Sequence, residues 1–138
     1  GEGKYSSVSL MSRRTEITDV IMGLLRDQIP EVHWSSLVTG ASRGNKLEGT
    51  VSCDRITYVE MTKSGRKGVL TYSIYLLDTA SVEGVDALAD KLDALLTHYH
   101  DLGGWCIDSQ VKEIVFGVAQ GKSDAGMALI TYEVYFDC

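Results

Sequence analysis

Between Ser81 and Asp101 the apolar residues Val85, Leu88, Ala89, Leu92, Leu95, Leu96 and Tyr99 recur at steps of three and four. That period belongs to a helix with one buried face. The opposite face carries Glu83, Asp86, Asp90 and Asp93, with Lys91 at its edge, so four carboxylates line up with little to neutralise them. Ser81 is a suitable N-cap, because its hydroxyl can accept from an orphan backbone N–H, and Glu83 suits the positive end of the helix dipole. Gly103 and Gly104 supply the stop. A second set at helical spacing, Ile17, Val20, Ile21, Leu24, Leu25 and Ile29, predicts an amphipathic helix over 15–29. Pro30 closes it, since proline lacks the N–H and pushes the preceding residue away from helical angles.

The remaining segments alternate with the period of a strand. Residues 47–53 and 55–63 are rich in Val, Thr, Ile and Tyr, which predicts two strands, or one strand kinked near Cys53 and Asp54. Ser64 to Gly68 reads as a hairpin connection, and 69–78 as the return strand, with Leu70, Tyr72, Ile74 and Leu76 on one face. Residues 111–118 place Ile114, Phe116 and Val118 opposite Val111, Glu113 and Val115. In the last strand, over 127–138, Ala128, Ile130, Tyr132, Val134 and Phe136 point inward while Thr131, Glu133, Tyr135 and Asp137 point outward. A polar hairpin loop over 119–126 joins these two. The stretch 31–49, with Trp34 as its large hydrophobe and Gly40, Gly44 and Gly49 as turn material, predicts a long loop. The expected fold is an α+β two-layer sandwich, a mainly antiparallel sheet with two helices packed on one face, in the order α-β-β-β-α-β-β.

Composition narrows this picture. A chain of 138 residues with 44% hydrophobic content fits one domain over 11–138, and residues 1–10 read as an N-terminal arm or expression residue ahead of Met11. The longest apolar patch, Val20 to Leu25, falls far short of the roughly 18 to 20 residues needed to cross a bilayer. A net charge of −6 argues against broad nucleic-acid binding. Cys53, Cys106 and Cys138 are odd in number and widely spaced, which suits reduced thiols rather than a disulfide framework.

Candidate chemistry is sparse. Leu37 to Gly44 resembles the opening of the nucleotide-binding fingerprint of short-chain dehydrogenases. The context disagrees, because Lys46 stands where a glycine is needed, the next segment reads as strand, and Tyr58 and Lys63 are five positions apart instead of four. His98 and His100 lie near a helix end, but residues two apart point in different directions and share a metal poorly. No serine or cysteine has a nucleophile context. The sequence therefore assigns no catalytic residue, cofactor or metal. The stripe Glu83, Asp86, Asp90 and Asp93 has three readings: a solvated face, an assembly or lumen surface, or an acid/base pair, and the last needs a pocket to shift its pKa. Basic residues gather elsewhere, Arg43 and Lys46 in the long loop and Lys63, Arg66 and Lys67 at the hairpin tip. Such polarity suits head-to-tail contacts between identical subunits.

An N-terminal helix ending near Pro30, a long loop, a meander around Ser64 to Gly68, a helix from Ser81 and a closing hairpin through 128–137 together resemble the tail-terminator and tail-completion proteins of long-tailed bacteriophages and related tail-like particles. The resemblance spans 11–138 and rests on element order, size and the last strand. It implies a non-enzymatic virion protein of the tail or neck, assembled in the host bacterial cytoplasm, that forms a ring, commonly a hexamer. Such a ring caps the tail tube, offers a docking surface to the head connector or stopper protein, and passes DNA through its lumen without sequence-specific binding. Neither cofactor nor membrane is implied. Within that frame the acidic stripe would line the lumen or a subunit interface, Arg43, Lys46, Lys63, Arg66 and Lys67 would make basic loop contacts, and Met61, Tyr75 and Tyr135 would be apolar interface anchors. A small α+β enzyme or ligand-binding domain with a pocket around Trp34, Trp105, His98 and His100, and a generic protein-interaction adaptor, are the alternatives.

Overall fold

The computed structural model describes residues 12–36, 47–62, 65–118 and 125–137, with the side chains of residues 60–62 left aside. Helix α1 spans Arg13–Gln28, followed by strands β1 (His33–Ser35), β2 (Leu47–Thr62) and β3 (Gly65–Asp78), helix α2 (Val82–His98), a 3-10 turn (Leu102–Gly104), and strands β4 (Asp108–Val118) and β5 (Gly126–Asp137). The five strands form one sheet in the order β1-β2-β3-β5-β4, antiparallel except for the β1–β2 pair. Both helices lie on one face: α1 packs against β1 and β2, and α2 against β3, β4 and β5. This is the expected α+β sandwich.

Each helix starts where its sequence provides a cap. Ser12 Oγ accepts from Thr15 N at 3.1 Å, and Ser81 Oγ accepts from Gly84 N at 3.2 Å. Buried Asp78 adds a second brace at the start of α2, because its Oδ1 accepts from Ala80 N and Ser81 N at 2.8 and 3.1 Å. The apolar stripe of α2 is buried at Val85, Leu88, Ala89, Leu92 and Leu96, with Leu95 half-buried at its edge. The helix ends at His98, earlier than the glycines suggest, and the chain turns through Leu102 and Gly103 at positive φ. Leu102 is buried nonetheless, so an apolar residue beyond the helix imitates one more turn of its pattern.

The inward face of the sheet is the one read from alternation. Leu70, Tyr72, Ile74 and Leu76 of β3 and Ala128, Ile130, Tyr132, Val134 and Phe136 of β5 are all buried, together with Ile17, Ile21 and Leu25 of α1. Two tyrosines sit in this layer, and burying a phenol requires a partner for its hydroxyl. Thr18 Oγ1 donates to Arg14 O at 2.8 Å, leaving its oxygen to accept from Tyr72 at 2.7 Å. Tyr132 donates to Ser109 Oγ at 2.9 Å, and Ser109 in turn donates to His100 O at 2.6 Å.

Three details depart from the sequence reading, and a fourth selects one of its alternatives. Part of the expected loop is a strand, since His33–Ser35 pairs in parallel with Glu48–Thr50. Trp34 is buried there, its ring lying where a Cβ on Gly49 would sit and its Nε1 donating to Ile29 O at 2.9 Å. The two predicted strands over 47–63 are one, with a register shift between Cys53 and Arg55, which matches the kinked alternative. The expected hairpin tip is also shorter, because Gly65 to Gly68 already pair with β2. In β4 a register shift between Val111 and Glu113 sets Val111 opposite Tyr132 and Ile114 opposite Ile130. Val111 therefore shares the inward face with Ile114 instead of opposing it, as a bulge at Lys112 dictates.

Candidate assembly surface

The two sides of the sheet differ in character. On one side β4 pairs, among the described residues, with β5 alone, so eleven residues of backbone form an edge. Past Ile114 this edge is apolar on both faces: Val115 is 48% exposed, Phe116 50% and Val118 56%. Register explains the arrangement. Phe116 and Val118 stand opposite Ala128 and Gly126, on the helix-bearing face but at the N-terminal end of α2, where Val82 is also exposed. Val115 stands opposite Leu129 on the outer face, and Leu129 in turn stands opposite Tyr75 of β3. A monomer rarely leaves such an edge bare, because unpaired strand backbone with apolar flanks invites pairing with another chain.

The acidic stripe lies above the same edge. Glu83, Asp86 and Asp90 are exposed and Asp93 half-buried. Lys91, whose Nζ meets Glu31 Oε2 at 2.9 Å just beyond α1, marks the flank of α2 that faces α1. At roughly 100° per residue, Asp86 and Asp93 fall on the opposite flank, with Asp90 and Glu83 nearer the solvent pole. No cation among the described residues pairs with these four carboxylates.

On the other side, beyond the short β1, the edge of β2 faces an open groove of about 500 Å³ between this strand and the N-terminus of α1. Arg13, Arg14, Arg55 and Arg66 line it, in a chain whose net charge is −6. The Arg66 guanidinium carbon sits 4.1 Å from the centre of the Tyr58 ring, a stacking that fixes its direction. Arg13 lies over Trp105 at 5.9 Å, and its Nε is shielded with no hydrogen-bond partner among the described residues. Asp54, which also lines the groove, has its carboxylate held by the hydroxyls of Ser52 and Ser73.

The basic residues expected from sequence are thus partly relocated. Arg66 reaches this groove, Lys67 is exposed on β3 opposite Asp137, and Arg43, Lys46 and Lys63 lie outside the described residues. Arg13, Arg14 and Arg55 come from a helix start and a mid-strand position, which sequence spacing gave no reason to group. Of the apolar anchors, the Met61 side chain lies outside the described residues. Tyr75 and Tyr135 do share the outer face but stand at separate levels: Tyr75 is opposite Leu129, whereas the Tyr135 hydroxyl donates to Glu133 at 2.8 Å and accepts from Gln110 at 2.7 Å. Val115, Phe116 and Val118 form a further exposed apolar set on β4.

The chemistry available elsewhere is modest. Trp34 is buried beneath α1, Trp105 and His98 are exposed, and none of them lines the groove. His100 Nδ1 lies 3.1 Å from Asp108, with both side chains well exposed, and no cluster of three metal-ligating side chains occurs among the described residues. Burial pushes the Cys106 thiol up to about 11, with Asp101 and Asp108 adding to the effect, and burial also raises Cys53. Thiols held neutral this way are poor nucleophiles.

No protein-family model matches the chain, and no curated protein does. Among solved structures the chain is similar to one described as the virion of a native gene transfer agent particle, at 12% identity, over 83% of this chain and 84% of that chain, with a TM-score of 0.46. A likeness at that level carries no argument about function.

Proposed function

We propose that this chain is a structural subunit of a phage-like tail: a ring-forming, non-enzymatic terminator that caps the tail tube and presents a docking surface to the head connector. The observation that carries the reading is the eleven-residue edge strand β4 with apolar residues on both faces. An enzyme needs a concave site with converging polar groups, whereas an assembly subunit needs an edge and a patch that another chain can cover. Ring closure covers such edges with copies of the same chain. The acidic face of α2 then serves the lumen or the contact between subunits, and a lumen lined by carboxylates lets DNA pass without adhering.

Light scattering and negative-stain electron microscopy of the purified protein, alone and mixed with tail-tube subunits, test the reading. Closed annuli of uniform size, and tubes that stop growing when the protein is added, are the expected results. A strictly monomeric protein under both conditions rejects it.

A further inference from the structure

The two sides of the sheet complement each other in charge and in apolar content. One side joins the apolar half of β4 to the acidic flank of α2, and the other joins the four-arginine groove to exposed Tyr58 and Val59 on β2. The first surface follows the β4 edge of the sheet and the second the β2 edge beyond β1, at opposite ends of the strand order, with Phe136 of β5 closing the inner wall of the groove. Among the described residues no carboxylate forms an ion pair with Arg13, Arg14, Arg55 or Arg66, and no cation pairs with Asp86 or Asp90; Asp54 shares the groove but is bound by the Ser52 and Ser73 hydroxyls. We infer that the arginine groove is the receiving half of a head-to-tail interface, and that it takes the exposed acidic face of α2 of a second copy, Asp86 on its flank and Asp90 beside it toward solvent, while β4 of that copy comes alongside the β2 edge.

The inference rests on the ring reading and specifies its contact. A heterologous interface of this kind generates a ring when the rotation between copies closes. Arginine is suited to the receiving side, because its planar fork binds carboxylates in bidentate fashion. Arg66 is already oriented by Tyr58, which lowers the cost of ordering it at the contact. The acidic side is a row on a rigid helix whose apolar face is fixed in the core, so its charges arrive at set spacing. Charges at such a contact govern encounter and register, which makes assembly sensitive to salt.

Charge exchange tests this on the full chain. A groove variant, Arg55→Glu with Arg66→Glu, and a helix variant, Asp86→Lys with Asp90→Lys, are each compared with the natural chain by analytical ultracentrifugation. Circular dichroism confirms that both fold, which is expected because all four positions are exposed. Each variant alone should associate at least about tenfold more weakly than the natural chain at low salt. An equimolar mixture should regain association, since the acidic helix of one meets the basic groove of the other and the reversed pair matches as well. The inference is overturned if either folded variant assembles like the natural chain, or if the mixture does not recover. It is equally overturned if the groove variant loses binding to duplex DNA while its self-association is unchanged, since the groove is then a phosphate site. Assembly of the natural chain and of both variants alike removes this interface and leaves the ring standing, whereas a natural chain that never associates removes both.

Discussion

Ser109 carries more than its size implies. It is buried, accepts from the Tyr132 hydroxyl and donates to the carbonyl of His100, tying β4, β5 and the end of α2 together. Removing one partner of a buried hydrogen bond costs the desolvation of what remains. Ser109→Ala strands both a phenol and a carbonyl, so it is expected to cost about 2–3 kcal/mol, whereas Tyr132→Phe leaves the Ser109–His100 bond intact and costs about 1 kcal/mol. Urea unfolding of the two variants checks the order, and equal losses would refute the account. The buried tyrosines also set a pH limit. Burial raises the ionisation of Tyr72 and Tyr132 above the ordinary phenolic value, an effect only partly opposed by their hydroxyl partners Thr18 and Ser109. A raised folded-state value means that the unfolded chain loses these protons first. Their contribution is thus complete below the unfolded value, about 10, and is lost as pH rises beyond it. Phenolate absorbance should show two of the seven tyrosines ionising only as the protein unfolds. The double variant Tyr72→Phe, Tyr132→Phe should lose less stability between pH 10 and 12 than the natural chain, and an unchanged alkaline slope would exclude these two groups.

At the scale of elements, the start of α2 is the tightest junction. A Cβ on Gly126 would lie 2.6 Å from Val82 Cα, a backbone atom that cannot swing aside, so β5 and the helix start approach as closely as they do only because this residue has no side chain. Gly126→Ala is expected to destabilise by about 1–3 kcal/mol, as overpacking does. Asp78→Ala should cost about 2 kcal/mol by leaving two backbone N–H groups without their acceptor, while Asp78→Asn, which keeps an oxygen there, should cost less. Thermal melts of these three variants separate the two effects. This junction also marks how far the sequence can be read. The stripe from Val85 to Leu96 and the alternation from Ala128 to Phe136 each repeat enough times to define a face, so α2 and β5 were legible. The three residues of β1 repeat nothing, and the burial of Trp34 is decided by Gly49, fifteen positions away. A bulge at Lys112 shifts the phase of β4 within one residue, and only the partner strand reveals it. The arginine groove was illegible for a similar reason: Arg13, Arg14, Arg55 and Arg66 come from three elements and meet only once the sheet has formed. The acidic stripe, by contrast, belongs to one helix and was visible at once.

At the scale of the whole molecule, the sheet combines an interior completed by two helices with an edge that nothing in the described chain covers. The apolar residues of β4 beyond Ile114 add little to the stability of the isolated fold, since about half of each side chain already meets water. Surface substitutions of that kind usually change stability by no more than about 0.5 kcal/mol, and loss of the partly buried Phe116 ring raises the expected cost to about 1 kcal/mol. Lysine is the residue that natural sheets use to keep an edge from pairing. Phe116→Lys together with Val118→Lys should therefore melt within a few degrees of the natural chain and yet fail to form large species at concentrations where the natural chain does. Hydrogen exchange supplies the complementary measurement: amides of β4 should become protected when the natural chain assembles, and should stay exchangeable in the lysine variant. If the variant melts far lower, these side chains belong to the core, and the edge loses its standing as an assembly surface. If it melts normally and still assembles, with β4 exchanging freely in the assembled state, the contact lies elsewhere on the molecule.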